Sequence, residues 1–165
     1  MTHRRALLVL PLPLLALLTG CTVPVSGLTG VTVGRDGRPM GVVQSCEAPM
    51  DQVLLYVPAK DPEAPPEATW RRSGTPTEFA TWPLSGEATG DWAAQRPPKP
   101  LTPHVTYALY GATEDSSWST LPVEFTPEDL AALKPGQVRY ATAADPDVYT
   151  TGSTDAFRKA ACAGE

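Results

Sequence analysis

Gly30-Val31-Thr32-Val33-Gly34-Arg35-Asp36-Gly37-Arg38-Pro39-Met40-Gly41-Val42-Val43 reads as a β-hairpin. Two β-branched runs flank an Asp-Gly pair, and glycine accepts the positive φ of a tight turn without steric cost, so residues 35–39 are expected to reverse the chain. The second arm continues through Gln44 and Ser45 to Cys46. A calcium loop would need further spaced acids around Asp36, and the flanking residues supply none.

Downstream the same strand-and-turn grammar repeats. Asp51 to Pro58 predicts a third strand, too short for a helix and stopped by proline. A Pro/Glu/Ala-rich loop, residues 59–66, follows. Thr69 to Arg72 and Glu78 to Trp82 read as two strands around the turn Ser73-Gly74-Thr75-Pro76. Pro83 to Pro103 carries the least pattern, with polyproline conformation expected at Arg96-Pro97-Pro98-Lys99-Pro100. His104 to Tyr110 alternates, with Val105, Tyr107 and Leu109 on one face, and so predicts a central strand. In Trp118 to Phe125, Pro122 implies an edge or a bulge.

Thr126-Pro127-Glu128-Asp129 is a helix start: a capping threonine, proline at the first helical position, and acids beside the positive helix end. The helix should stop near Pro135-Gly136, before a strand at Gln137 to Ala141. Asp155 to Cys162 fits either a last strand or a helical turn. Seven or eight short strands with one short helix imply an all-β, antiparallel, sandwich-like domain over residues 30–165. The immunoglobulin pattern does not transfer, because no tryptophan follows Cys46 at the expected distance.

The first twenty residues are of another kind. A basic head (His3, Arg4, Arg5) precedes the apolar run Ala6 to Leu18 and the small pair Thr19-Gly20, the layout of an export signal. At about 1.5 Å per residue that run reaches only ~20 Å, short of a ~30 Å hydrocarbon core, and Pro11 and Pro13 interrupt it. Leu18-Thr19-Gly20-Cys21 resembles a bacterial lipobox. The resemblance implies cleavage before Cys21 and a diacylglycerol on its sulfur, with further acylation such as palmitate. It also implies residence on the outer face of the cytoplasmic membrane, through a short tether at residues 21–29. With its Ala, Gly, Pro and Thr bias, the chain is similar to the small secreted lipoproteins of actinobacteria. Arg4-Arg5 also fits a minimal twin-arginine signal, but two arginines are what any basic head contains, so the general secretory route is favoured.

Loss of residues 1–20 leaves 145 residues, enough for one core, with 11 basic against 18 acidic side chains. The net charge of −7 disfavours nucleic acid. No Lys/Arg cluster could hold the domain flat on anionic lipid, so membrane association falls to the anchor on Cys21. If Cys21 is acylated, Cys46 and Cys162 remain as an even pair in an oxidising compartment, and a disulfide between them is expected.

Candidate chemistry narrows by exclusion. The mature chain holds one histidine, His104, beside Pro103, without a Gly-x-Ser-x-Gly elbow, a zinc motif or a phosphate-cradling loop. Paired carboxylates could still hydrolyse glycosides, with Glu114, Asp115, Glu128 and Asp129 the least arbitrary choices, although each also suits a turn or a cap. Asp145-Pro146-Asp147 suits a calcium ligand or, more simply, a solvated loop. Trp70, Trp82, Trp92, Trp118, Tyr110 and Tyr149 could line a surface for sugars or peptides, although most should be core, and Trp92 in its unpatterned loop and Tyr110 are the leading candidates. The expectation is therefore a non-enzymatic binding module of the cell envelope, without cofactor or metal, whose partner is an envelope protein or glycan. A carboxylate hydrolase and a purely structural component are the alternatives.

Overall fold

The computed structural model describes residues 22–163, apart from 59, 62, 76 and 143. β1 (Val25–Val33) is its hub, because strands pair along both of its edges. One edge carries β2 (Pro39–Gln44), antiparallel from Leu28↔Gln44 to Val33↔Pro39, which is the expected hairpin. Its turn closes through the Gly34 amide on the Arg38 carbonyl at 2.9 Å and the Gly37 amide on the Gly34 carbonyl at 3.0 Å. Gly37 sits at φ 77°, where a side chain would be strained.

The other edge of β1 is shared by two partners. Its first half pairs in parallel with β8 (Ser119–Leu121), and residues 30–32 pair antiparallel with β10 (Gln137–Thr142). Beside the fork, a buried polar staple occupies the gap: the Thr29 and Thr120 hydroxyls lie 2.6 Å apart, and the Gly111 amide donates to both. Such pairing is what allows polar groups to sit inside a core.

The remaining strands are β3 (Gln52–Tyr56), β4 (Ala68–Arg72), β5 (Phe79–Pro83), β6 (Trp92–Arg96), β7 (Tyr107–Ala112), β9 (Val123–Phe125) and β11 (Asp145–Ser153). The sheet runs β11-β10-β1-β8-β7-β3-β4-β6, with β5 joined through β2 and β9 through β7. The chain is thus all-β, and its single mixed sheet curls nearly into a barrel. Among the described residues it has eleven strands, against the seven or eight that the sequence predicts, and two helices against one. β6 and β11 account for much of the difference, since neither shows clean alternation. The two strands flanking Ser73 to Thr75 both form but do not pair with each other: β4 lies between β3 and β6, and β5 pairs with β2. Pro122 has no amide to donate and separates β8 from β9, as its position implied.

Alternation along β1 and β2 divides the apolar residues between two cores. Val31 and Val43 face the inside of the curl, with Val53, Leu55, Leu109 and Phe125 and a cluster of Trp70, Trp82 and Trp92. Trp82 lies 5.1 Å from Trp92 and 6.4 Å from Trp70, centroid to centroid. Leu28 and Val42 face outward onto Val138, Tyr140 and Phe157, the last carried by α2 (Thr154–Ala161). The C-terminal segment, whose sequence fits either a strand or a helical turn, is therefore a helix, started by the Ser153 hydroxyl, which accepts from the Ala156 amide. Cys46 and Cys162 are disulfide-bonded, with Cα atoms 5.8 Å apart, so the end of α2 is fastened to the end of β2.

The structure also shortens the tether. Ser26 to Val31 are buried in β1, so residues 25–29 belong to the sheet and only 22–24 precede it among the described residues. The export segment and Cys21 lie outside the described residues. No helix among those described is long and apolar enough to cross a membrane.

Candidate functional site

The aromatic side chains fall into two groups. Trp70, Trp82 and Trp92 are interior, and Trp92, singled out as a surface candidate, is only 3% exposed. This corrects the sequence expectation: the Gly90-Asp91 turn starts β6 and brings Trp92 over Trp82, whose burial could not be read locally. Room for Trp82 comes from Gly41 opposite, where a Cβ would lie 2.3 Å from the indole ring.

Tyr110 has the other fate. It stands on the outer face of β7, directly across from Leu54 of β3 and diagonal to Tyr56. The two tyrosine rings meet edge-on, 5.8 Å apart at 79°, the arrangement their quadrupoles favour. Burial holds both phenols above the ordinary tyrosine range.

These rings floor an open groove of about 790 Å³. One wall is the proline-rich loop, ending in Ala64, Pro65 and Pro66. That loop is folded back by the Asp61 carbonyl, which accepts from the Ala64 amide at 2.9 Å, and is tied to β3 by the Glu67 amide on the Leu55 carbonyl at 2.7 Å. The opposite wall is Trp118, held by reciprocal bonds with Thr113, amide to carbonyl and amide to hydroxyl, each at 3.0 Å. Val23 also lines the groove, beside Ser119, whose amide donates to the Pro24 carbonyl at 3.0 Å. The groove's charged side chains include Lys60, which pairs with Glu67, and Asp61.

A second concavity, of about 510 Å³, lies between the β1–β2 turn, the segment Pro98 to Leu101 and α1 (Pro127–Ala132). It is lined mainly by aliphatic and proline side chains, Val33, Leu84 and Leu130 among them. Val33 ends β1 and Val23 precedes it, so at ~3.3 Å per residue the two sites are separated by roughly 25–30 Å of strand.

The acids nominated for catalysis are occupied elsewhere. Glu114 pairs with Arg71. Asp115 accepts from the Ser117 hydroxyl at 2.7 Å and its amide at 3.0 Å, which together lower its pKa to about 2. Asp129 closes a capping box with Thr126. Glu128 accepts from the His104 amide at 3.2 Å, and its carboxylate lies 3.3 Å from the exposed His104 imidazole. Asp145 accepts from the Asp147 amide at 3.1 Å, and among the described residues no group of three potential ligands could hold a metal ion.

Trp118 and Tyr110 are among the aromatics that the sequence offers for a binding surface, whereas Tyr56 is not. The available signal was the proline-rich loop starting directly after the third strand, which implies a wall beside Tyr56. Comparisons of the chain with protein-family models, with curated proteins and with solved structures find no match.

Proposed function

We propose that this chain is a lipid-anchored, extracytoplasmic module of the cell envelope that acts by binding rather than by catalysis. One observation carries the reading. The acids nominated for chemistry are engaged in ion pairs, turns or a cap, whereas Tyr56, Tyr110 and Trp118 line an open groove. Aromatic faces offer large contact area at small entropic cost, and a ligand surface needs such faces more than it needs titratable groups. The lipobox-like Leu18 to Cys21 supports the anchor, and the Cys46–Cys162 disulfide suits an oxidising compartment.

Crosslinking in intact cells, followed by mass spectrometry, tests the reading. A discrete set of envelope proteins or glycans should be recovered with the wild-type chain and depleted with Cys21→Ala, which lacks the anchor. Glycan-cleaving activity in the purified protein that disappears in both Glu114→Gln and Asp115→Asn would favour the hydrolase and overturn the binding module.

A further inference from the structure

We infer that the groove beside the tether rests on the outer surface of the membrane, so that the lipid bilayer itself occupies it. The inference depends on the reading of Cys21 as the lipid-bearing residue.

Position comes first. Val23 lies two residues after Cys21, and two residues of fully extended chain span about 7 Å. Little slack is available beyond that, because the Pro24 carbonyl accepts from the Ser119 amide at 3.0 Å and β1 begins at Val25. An acyl anchor at residue 21 therefore holds the Val23 side of the groove within one lipid headgroup layer of the bilayer.

The surface has the composition that such a place requires. Val23 is 39% exposed and Val25 is 50% exposed, and both are among the three large hydrophobic residues so exposed in the described structure. Water is a poor neighbour for them, and the acyl boundary a good one. From Val23, the rings of Tyr56, Tyr110 and Trp118 continue the apolar surface along the groove, with Val25 two residues further on, and tyrosine and tryptophan are the side chains that settle at the headgroup level, with one end apolar and the other wet. A glycan would also stack on these rings, yet it offers nothing to the exposed valines. Charge contributes little attraction, because Lys60 is paired with Glu67 and Asp61 is acidic. The contact should accordingly be apolar and insensitive to anionic lipid. In this orientation the second concavity, at the far end of β1, faces away from the membrane.

Trp118 provides the readout, since the other tryptophans are buried. The acylated full-length protein, extracted from membranes and reconstituted into phosphatidylcholine vesicles, is compared in ordinary lipid and in lipid brominated near the headgroup. Bromine quenches only indoles that it touches. Emission should fall in the brominated vesicles, the fall should vanish in Trp118→Phe, and it should shrink at least two-fold in Val25→Asp, an exposed position that tolerates the change. Replacing half of the lipid by phosphatidylglycerol should not alter it. Equal emission in both lipids, or a fall that survives in Trp118→Phe, overturns the docking. The mass of the N-terminal peptide separates the two ideas. An acylated Cys21 without quenching removes the docking alone, and an unmodified Cys21 removes the anchor and the docking with it.

Discussion

Asp51 is the carboxylate whose surroundings least favour its charge. One of its oxygens is buried without a hydrogen-bond partner, although the residue as a whole keeps some exposure. Burial raises its pKa above the usual aspartate value, outweighing a hydrogen bond from the Glu114 backbone and the nearby Arg71 charge, which both favour the ionised form. A folded-state pKa above the unfolded one favours the folded state at low pH, and that advantage is lost as pH rises through the folded value. Above it, ionised Asp51 is a constant burden. Asp51→Asn should therefore raise the urea midpoint at pH 7 and leave it unchanged near pH 3, where both side chains are neutral. A variant less stable than wild type at pH 7 would mean that the charge is needed. Asp115 has the opposite sign, because its lowered pKa contributes stability above the unfolded value that disappears as pH falls toward about 2.

Among the elements, α1 owes most to local chemistry. It is only six residues long, and isolated helices of that length do not persist in water. The Thr126 hydroxyl accepts from the Asp129 amide at 3.2 Å and the Asp129 carboxylate accepts from the Thr126 amide at 2.9 Å, so two otherwise orphaned donors are satisfied reciprocally. Leu130 then sinks into the main core as the helix's buried contact. Thr126→Ala should cost about 1 kcal/mol in chemical denaturation. Hydrogen exchange should localise the loss to residues 127–132, with β10 unaffected. β1 is held differently, by its hairpin partner β2 on one edge and by the distant β8 and β10 on the other. Its Gly27, at φ 111°, would place a Cβ 2.0 Å from the Gln44 carbonyl oxygen, a close approach that only glycine allows.

At the scale of the whole molecule, the disulfide joins positions 116 residues apart and clamps α2 over the outer core of Leu28, Val42 and Phe157. Closing so long a loop in the unfolded chain is worth up to ~4.7 kcal/mol on chain-entropy grounds, and loss of a native bridge commonly costs about 2–5 kcal/mol. Reduction should lower the unfolding free energy by that amount, read as a fall in the denaturation midpoint. Cys46→Ser with Cys162→Ser should reproduce the loss and be indifferent to reductant; equal stability with and without reductant in the wild type would show the bridge to be energetically idle. What could be read without coordinates was the chemistry that neighbours settle among themselves: the Asp36-Gly37 turn, the Thr126 cap, the break at Pro122, the all-β character and the pairing of the two remaining cysteines. What required the folded chain was the choice of distant partners. β5 joins β2 rather than β4, β1 runs parallel to β8, Trp92 goes inside while Trp118 stays at the groove, and Tyr56 meets Tyr110 only because β3 lies against β7. Turns and caps depend on φ preferences and hydrogen bonds within a few residues, whereas strand partnership depends on which faces bury together across the curl, and that is not written in any one segment.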